Sequence, residues 1–351
     1  MKKLFFVLIS IGMLLYNAEI LSKNTSNSSL STLFSNATEN KLFNRAEIIK
    51  KFIGNNSKYN SEFAFIIDMK ILSGKKRFFV YDLKNNKIVA YGKEEQQIGN
   101  GIHCWKSNNL QVIGNSISGH RDGIYFEFVT NSVIWRNISA NNIRYGLHFM
   151  FSNDDAYISN VFKNNGAGVA VMFTKNVKMF NNYFEENWGD SAYGLFLKEI
   201  SDSHIIGNKF YKNTSGIHME GTNRIWIEKN IFEANGWAMK IQASCVDNEI
   251  VRNNFIGNTF DMGTNGSLVL NKFDTNYWDK YEGYDLNKDG LGDVPYHPLS
   301  LFAVLVEKNP SAMLLFRSFM ITLLDKSEKV LPSITPDNFI DNSPLMHSLP
   351  L

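Results

Sequence analysis

Six glycines, Gly101, Gly123, Gly146, Gly168, Gly194 and Gly216, follow one another at steps of 22, 23, 22, 26 and 22 residues, and Ala238 extends the series by another 22. Self-similarity at a fixed period of this size marks a repeat architecture in which each unit stacks on the last. A second series keeps phase with the first, since Asn115, Asn137, Asn160, Asn182, Asn208 and Asn230 each stand 14 residues after their glycine. The first and third positions after each glycine are apolar, as in Ile124/Phe126, Leu147/Phe149 and Val169/Val171, which is the alternation of a strand with one buried face. Short strands separated by Asn and Gly turns at this period predict an all-β chain, a right-handed parallel β-helix solenoid of about seven to eight coils. The asparagines are expected to form a structural ladder, each amide bonding the coils above and below. The 26-residue step puts four extra residues in ENWGDSAY, a corner loop that carries Trp188 and Tyr193.

The flanks differ from the repeat. Lys2 and Lys3 precede an apolar run from Leu4 to Tyr16, which reads as a signal peptide over residues 1–21. Residues 22–95 contain a low-complexity Asn/Ser stretch, a helix-like LFNRAEIIKKFI and a β-hairpin or small meander, together a small α+β fragment. The solenoid is expected over 96–298, and 299–351 form a helical tail that closes its end or docks on a membrane partner. With 36 Lys+Arg against 34 Asp+Glu, no field of one sign calls for nucleic acid. Two cysteines, Cys104 and Cys245, make neither a disulfide framework nor a C-x-x-C metal knuckle.

The second and fourth positions after each glycine point away from the core. On successive coils they include His103/Trp105, Tyr125/Glu127, His148/Met150, Met172 and His218. Imidazole and thioether suit copper, and His148, Met150 and Met172 fall on neighbouring coils. Copper or partner contact is one reading of this strip; packing beneath a covering segment such as the tail is the other. Asp285, Asn287, Asp289, Leu291 and Asp293, with Gly290 at the turn, repeat the spacing of a calcium loop over 285–293. Its twelfth position is Tyr296 instead of Glu, so a structural Ca2+ of modest affinity is expected, against a metal-free Asx-turn loop. In GHRDG, His120, Arg121 and Asp122 suggest lyase acid/base chemistry, but the strip carries only Glu127 and Glu220 as acids, and turn formation is the plainer reading.

Two resemblances attach to these segments. Residues 62–92, EFAFIIDMKILSGKKRFFVYDLKNNKIVAYG within them, resemble the first strands of murein L,D-transpeptidase-like domains, without that family's later His and Cys motif, so no catalytic residue is carried over. From Gly99 onward, GNGIHCWKSNN, GHRDGIYFEFVTNSV, RYGLHFMFSND, NGAGVAVMF, YGLFLKEI, NYWDKYEGYDLNKDGLGDVPYHPLSLF and DNSPLM resemble the NosD family of nitrous-oxide reductase maturation proteins. The region before Gly99 departs from that family, and KEEQQIGNG reads as a fusion junction. The resemblance implies a periplasmic, non-enzymatic β-helix protein. Its implied partners are an ABC transporter membrane subunit, a copper chaperone and nitrous-oxide reductase, with copper bound transiently. A carbohydrate-binding or polysaccharide-lyase-like β-helix is the alternative.

Overall fold

A computed structural model describes residues 36–54, 61–67, 78–91, 99–189, 191–266, 270–330 and 339–351; the expected signal peptide lies outside them. The chain divides into two compact units at Ile98/Gly99. In the first, a helix, Asn36–Ile53, accompanies a three-stranded antiparallel meander, Phe63–Ile67, Phe78–Asp82 and Lys87–Tyr91. Leu42 and Ala46 of the helix join Phe79, Tyr81 and Leu83 in one small core.

The second unit is a parallel β-solenoid of eight coils, with three eight-stranded sheets running its length. The first sheet carries the strand that opens each coil, from Ile102–Trp105 to Phe260–Gly263. Inward-pointing residues stack coil on coil. Phe162, Phe184, Phe210, Phe232, Phe255 and Trp278 form one continuous ring column with centroids 4.0–5.5 Å apart. On the first six coils a glycine near the start of this strand lets the coils approach: a Cβ on Gly146 would lie 2.7 Å from the Gly168 carbonyl and 2.8 Å from Asn165 Nδ2.

Each coil turns from the second sheet to the third through a left-handed residue. Gly114, Arg136, Ser159, Asn181, Gly207, Lys229, Arg252 and Thr275 have φ between 52° and 69°. The next residue is a ladder asparagine whose Oδ1 accepts from the backbone N–H and the Nδ2 of the asparagine one coil earlier. Asn160 thus donates both to Asn182 Oδ1 at 3.0 Å, and Asn182 donates both to Asn208 Oδ1 at 2.9 and 3.0 Å. Each Nδ2 also reaches a strand carbonyl of the preceding coil, as Asn182 does to Tyr157 at 2.9 Å. The column runs from exposed Asn115 past Asn230 to Asn253 and Asn276. A second ladder, Asn142, Asn165, Asn187, Asn213, Asn235 and Asn258, holds the corner before the first sheet in the same way.

The tail is helical only in part. The helix Leu301–Lys308 is capped by the Ser300 side chain and buries Phe302, Ala303 and Val306. A second helix covers Phe319–Val330. Residues 339–351 are not helical and instead clasp the last coil, whose end presents N–H donors with no further coil to accept them. Asp341 Oδ2 accepts from Asn276 N, Asn276 Nδ2 and Trp278 Nε1, each at 3.0 Å, and so terminates the ladder. Leu349 exchanges two hydrogen bonds with the side chain of Asn254.

Candidate metal centre on the outer strip

Strand register arranges the outer face of the first sheet in two columns. His103, Tyr125, His148 and Ala170 lie side by side on coils one to four, as do Trp105, Glu127, Met150 and Met172. Same-face neighbours along a strand stand about 7 Å apart and neighbours on adjacent coils about 4.8 Å, so His148, Met150 and Met172 form a tight corner of the grid. His218 is not brought to it. Phe196 and Ala170 separate it from His148 in its column, and a Lys198–Glu220 ion pair at 3.0 Å continues the neighbouring one.

The strip is less free of the protein than outward pointing suggests, and on this the sequence reading needs correction. His103 and Trp105 are exposed, whereas Tyr125, Glu127, Met150, Met172 and His218 are half-buried and His148 is only 5% exposed. What covers His148 is its own coil and the one before. Tyr125 meets its ring edge-on at 4.9 Å and Tyr145 lies at 4.9 Å. The tail covers the other end of the strip, where Glu307 pairs with Lys240 at 2.7 Å and Phe302 packs on Phe260. Burial, helped by the Lys240 charge, lowers the His218 pKa to about 4 and keeps it neutral, beside Tyr193 and Phe196. In the corner loop Trp188 stands exposed, while Tyr193 stacks on Phe196 at 5.2 Å.

Around His148 the sequence reading missed two residues. Asp122, read as a turn former, is the first residue of a strand and wholly buried, and Arg144 of the next coil grips its carboxylate through Nε at 2.8 Å and Nη2 at 2.5 Å. Burial alone would raise the Asp122 pKa, but hydrogen bonds from Arg144 and His148 outweigh it and hold it at about 2. His148 Nδ1 lies 3.5 Å from Asp122 Oδ2 and 3.3 Å from Arg144 Nη2. Its Nε2 is buried and has no hydrogen-bond partner. Nearby, the Tyr125 hydroxyl contacts Met150 Sδ at 3.7 Å. The register thus puts a buried imidazole and two methionines on one outward face, side chains of the kinds that suit a soft monovalent ion.

The 285–293 loop looks different. Asp285 accepts from the N–H groups of Lys288, Asp289 and Gly290, Asp289 from Leu291, and Asp293 from Leu286. Among the described residues no group of three or more His, Cys, Asp or Glu side chains is drawn together as a metal ion would need. Calcium on Asp285, Asn287, Asp289, Leu291 and Asp293 has no support beyond their spacing, and the hydrogen bonds within the loop are those of Asx turns.

The chain matches, over residues 75–286, the family described as periplasmic copper-binding protein (NosD). That match begins ahead of Gly99, within the meander. Over 245 residues it is 30% identical to the "probable ABC transporter binding protein NosD" of Pseudomonas aeruginosa, covering 69% of this chain and 44% of that protein. A protein of the same description from Stutzerimonas stutzeri is 34% identical over 109 residues, covering 30% of this chain and 25% of that one. The chain thus spans less than half the length of the curated relatives it matches. Among solved structures, the A-module of the Azotobacter vinelandii mannuronan C-5 epimerase AlgE4 aligns at 17% identity and a TM-score of 0.40, over 47% of this chain and 54% of that one.

Proposed function

Because the chain belongs to the NosD family of periplasmic copper-binding proteins, we propose that it is a non-enzymatic accessory of copper-site maturation in nitrous-oxide reductase. In this reading a copper chaperone loads the outer strip, and the solenoid presents the cargo while docked to an ABC transporter membrane subunit or to the reductase. His148, Met150 and Met172 hold Cu(I), with half-buried Tyr125 and Glu127 and exposed His103 and Trp105 forming the approach. One observation carries it: the buried, unpartnered Nε2 of His148, on the same outward face as two methionines from adjacent coils. Burying a polar atom without a partner costs stability, so a structure that retains one at this place points to a ligand.

The carbohydrate alternative has no comparable support on the strip. Its acids, Glu127 and Glu220, stand four coils apart, and Glu220 is already paired with Lys198. The test is competition for Cu(I) against bicinchoninate, followed by absorbance. Met150→Leu and Met172→Leu conserve volume on half-buried sites and should leave the thermal melt nearly unchanged. Together they should weaken Cu(I) binding by about tenfold or more, or roughly 1.4 kcal/mol, as should His148→Ala. Folded variants that bind Cu(I) like the wild type would refute the site.

A further inference from the structure

The two nitrogens of His148 are not equivalent, and the groups around Nδ1 decide which one keeps a lone pair. Asp122 is fully buried, and the two hydrogen bonds it accepts from the Arg144 guanidinium leave its carboxylate acceptor-only. Arg144 is donor-only, and its side chain is 43% exposed. Were Nδ1 to accept from Arg144 at 3.3 Å, the ring proton would sit on Nε2, a buried donor facing no acceptor. With the proton on Nδ1, 3.5 Å from Asp122 Oδ2, the ring N–H has an acceptor close by, and Arg144, with its side chain 43% exposed, can turn its spare N–H groups to water. The second arrangement is the less costly, since an unsatisfied buried donor forfeits its hydration outright.

We infer that the buried Asp122–Arg144 pair is a positioning device that holds His148 as its Nδ1–H tautomer, so that Nε2 is kept as a bare lone pair on the metal-facing side. The inference rests on the copper reading only for its purpose; the tautomer exists with or without cargo. Arg144 directly precedes Tyr145, the register partner of Asp122 on the next coil, so the repeat brings the arginine beside the carboxylate, and Arg144 neutralises a charge that the sheet would otherwise reject. A carboxylate on the far nitrogen of a ligating imidazole fixes ring orientation and raises its basicity, and removing such a partner typically weakens metal binding by about 10–100-fold.

The experiment uses the full chain labelled with 15N-histidine, without metal, in long-range 15N–1H spectra at pH 8, with His148 assigned by His148→Gln. The wild type should show the Nδ1–H pattern. Asp122→Ala should shift His148 toward the Nε2–H tautomer and weaken Cu(I) binding to bicinchoninate competition by about 10–100-fold. Alanine is native to this column, since Ala167 occupies the same register position two coils on, so the variant is expected to fold. Asp122→Asn, which keeps a carbonyl acceptor, should restore part of the Nδ1–H population. An Nε2–H pattern in the wild type, or an Asp122→Ala spectrum unchanged from it, overturns the inference. If the wild type proves not to bind Cu(I), the proposed function falls while the spectra still decide the tautomer.

Discussion

Replacing one asparagine in the middle of the ladder should destabilise the solenoid far more than a surface change of the same size. Asn182 is 1% exposed, and its Oδ1 is the acceptor for both the backbone N–H and the Nδ2 of Asn160. In Asn182→Ala both donors remain buried with nothing to meet them, and the Tyr157 carbonyl loses its Nδ2 partner. At about 1–3 kcal/mol for each stranded donor, the expected loss is about 2–6 kcal/mol, a large share of the roughly 5–15 kcal/mol that holds a folded domain. In a unit the size of residues 99–351 that corresponds to a fall in Tm of roughly 4–11 °C. Asn115→Ala is the internal control, because Asn115 is exposed on the first coil and water can replace what it offers. Urea unfolding followed by far-UV circular dichroism, with both variants measured beside the wild type, makes the comparison. Equal midpoints for Asn182→Ala and Asn115→Ala would refute the ladder as a source of stability.

Two further outcomes follow from buried groups. Asp155 is 1% exposed, leaves Oδ2 unpartnered, and has its pKa raised to about 7, first by burial and then by the Asp154 charge. A folded pKa above the unfolded one means that the native state holds the extra proton, so the stability it contributes is whole below about pH 4 and is lost as pH rises through about 7. Asp155→Asn should flatten that slope and stabilise the protein at pH 8 in thermal melts; a slope unchanged in the variant would contradict the assignment. Gly146→Ala should cost about 1–3 kcal/mol by overpacking, since the new methyl meets backbone on the next coil, and an unaltered urea midpoint would show that the coils can part.

Much of the solenoid was legible because stacking enforces a period. The Asn115 series is visible since every member sits 14 residues after its glycine. The second ladder is as regular on the same ruler, five residues after the first and 19 after the same glycine in every coil from Asn137/Asn142 to Asn230/Asn235, so it was equally legible. Burial of His148 was not readable, because an outward residue is covered or not according to what neighbouring coils place beside it, here Tyr125 and Tyr145. Asp122 looked like a corner residue for the same reason: its partner Arg144 lies on the next coil, and the local string GHRDG carries no sign of the pairing. The 339–351 clasp lacks any periodic pattern, as its conformation is set by the coil end that it meets.

The clasp also orders the assembly of the solenoid in time. Ladder bonds from Asn115 to Asn276 join residues 22, 23 or 26 apart, so each new coil closes a short loop onto a finished one. The bond from Asn276 to Asp341 spans 65 residues, and that from Leu349 to Asn254 spans 95. Lengthening the loop from 22 to 65 residues adds only about 1 kcal/mol of closure entropy, but the surface that Asp341 binds does not exist until the eighth coil is in place. The clasp therefore closes last. Until it does, the final strands expose unpaired backbone edges of the kind that recruit other chains, and the vulnerable interval in the life of this protein is the wait between its last coil and its last thirteen residues.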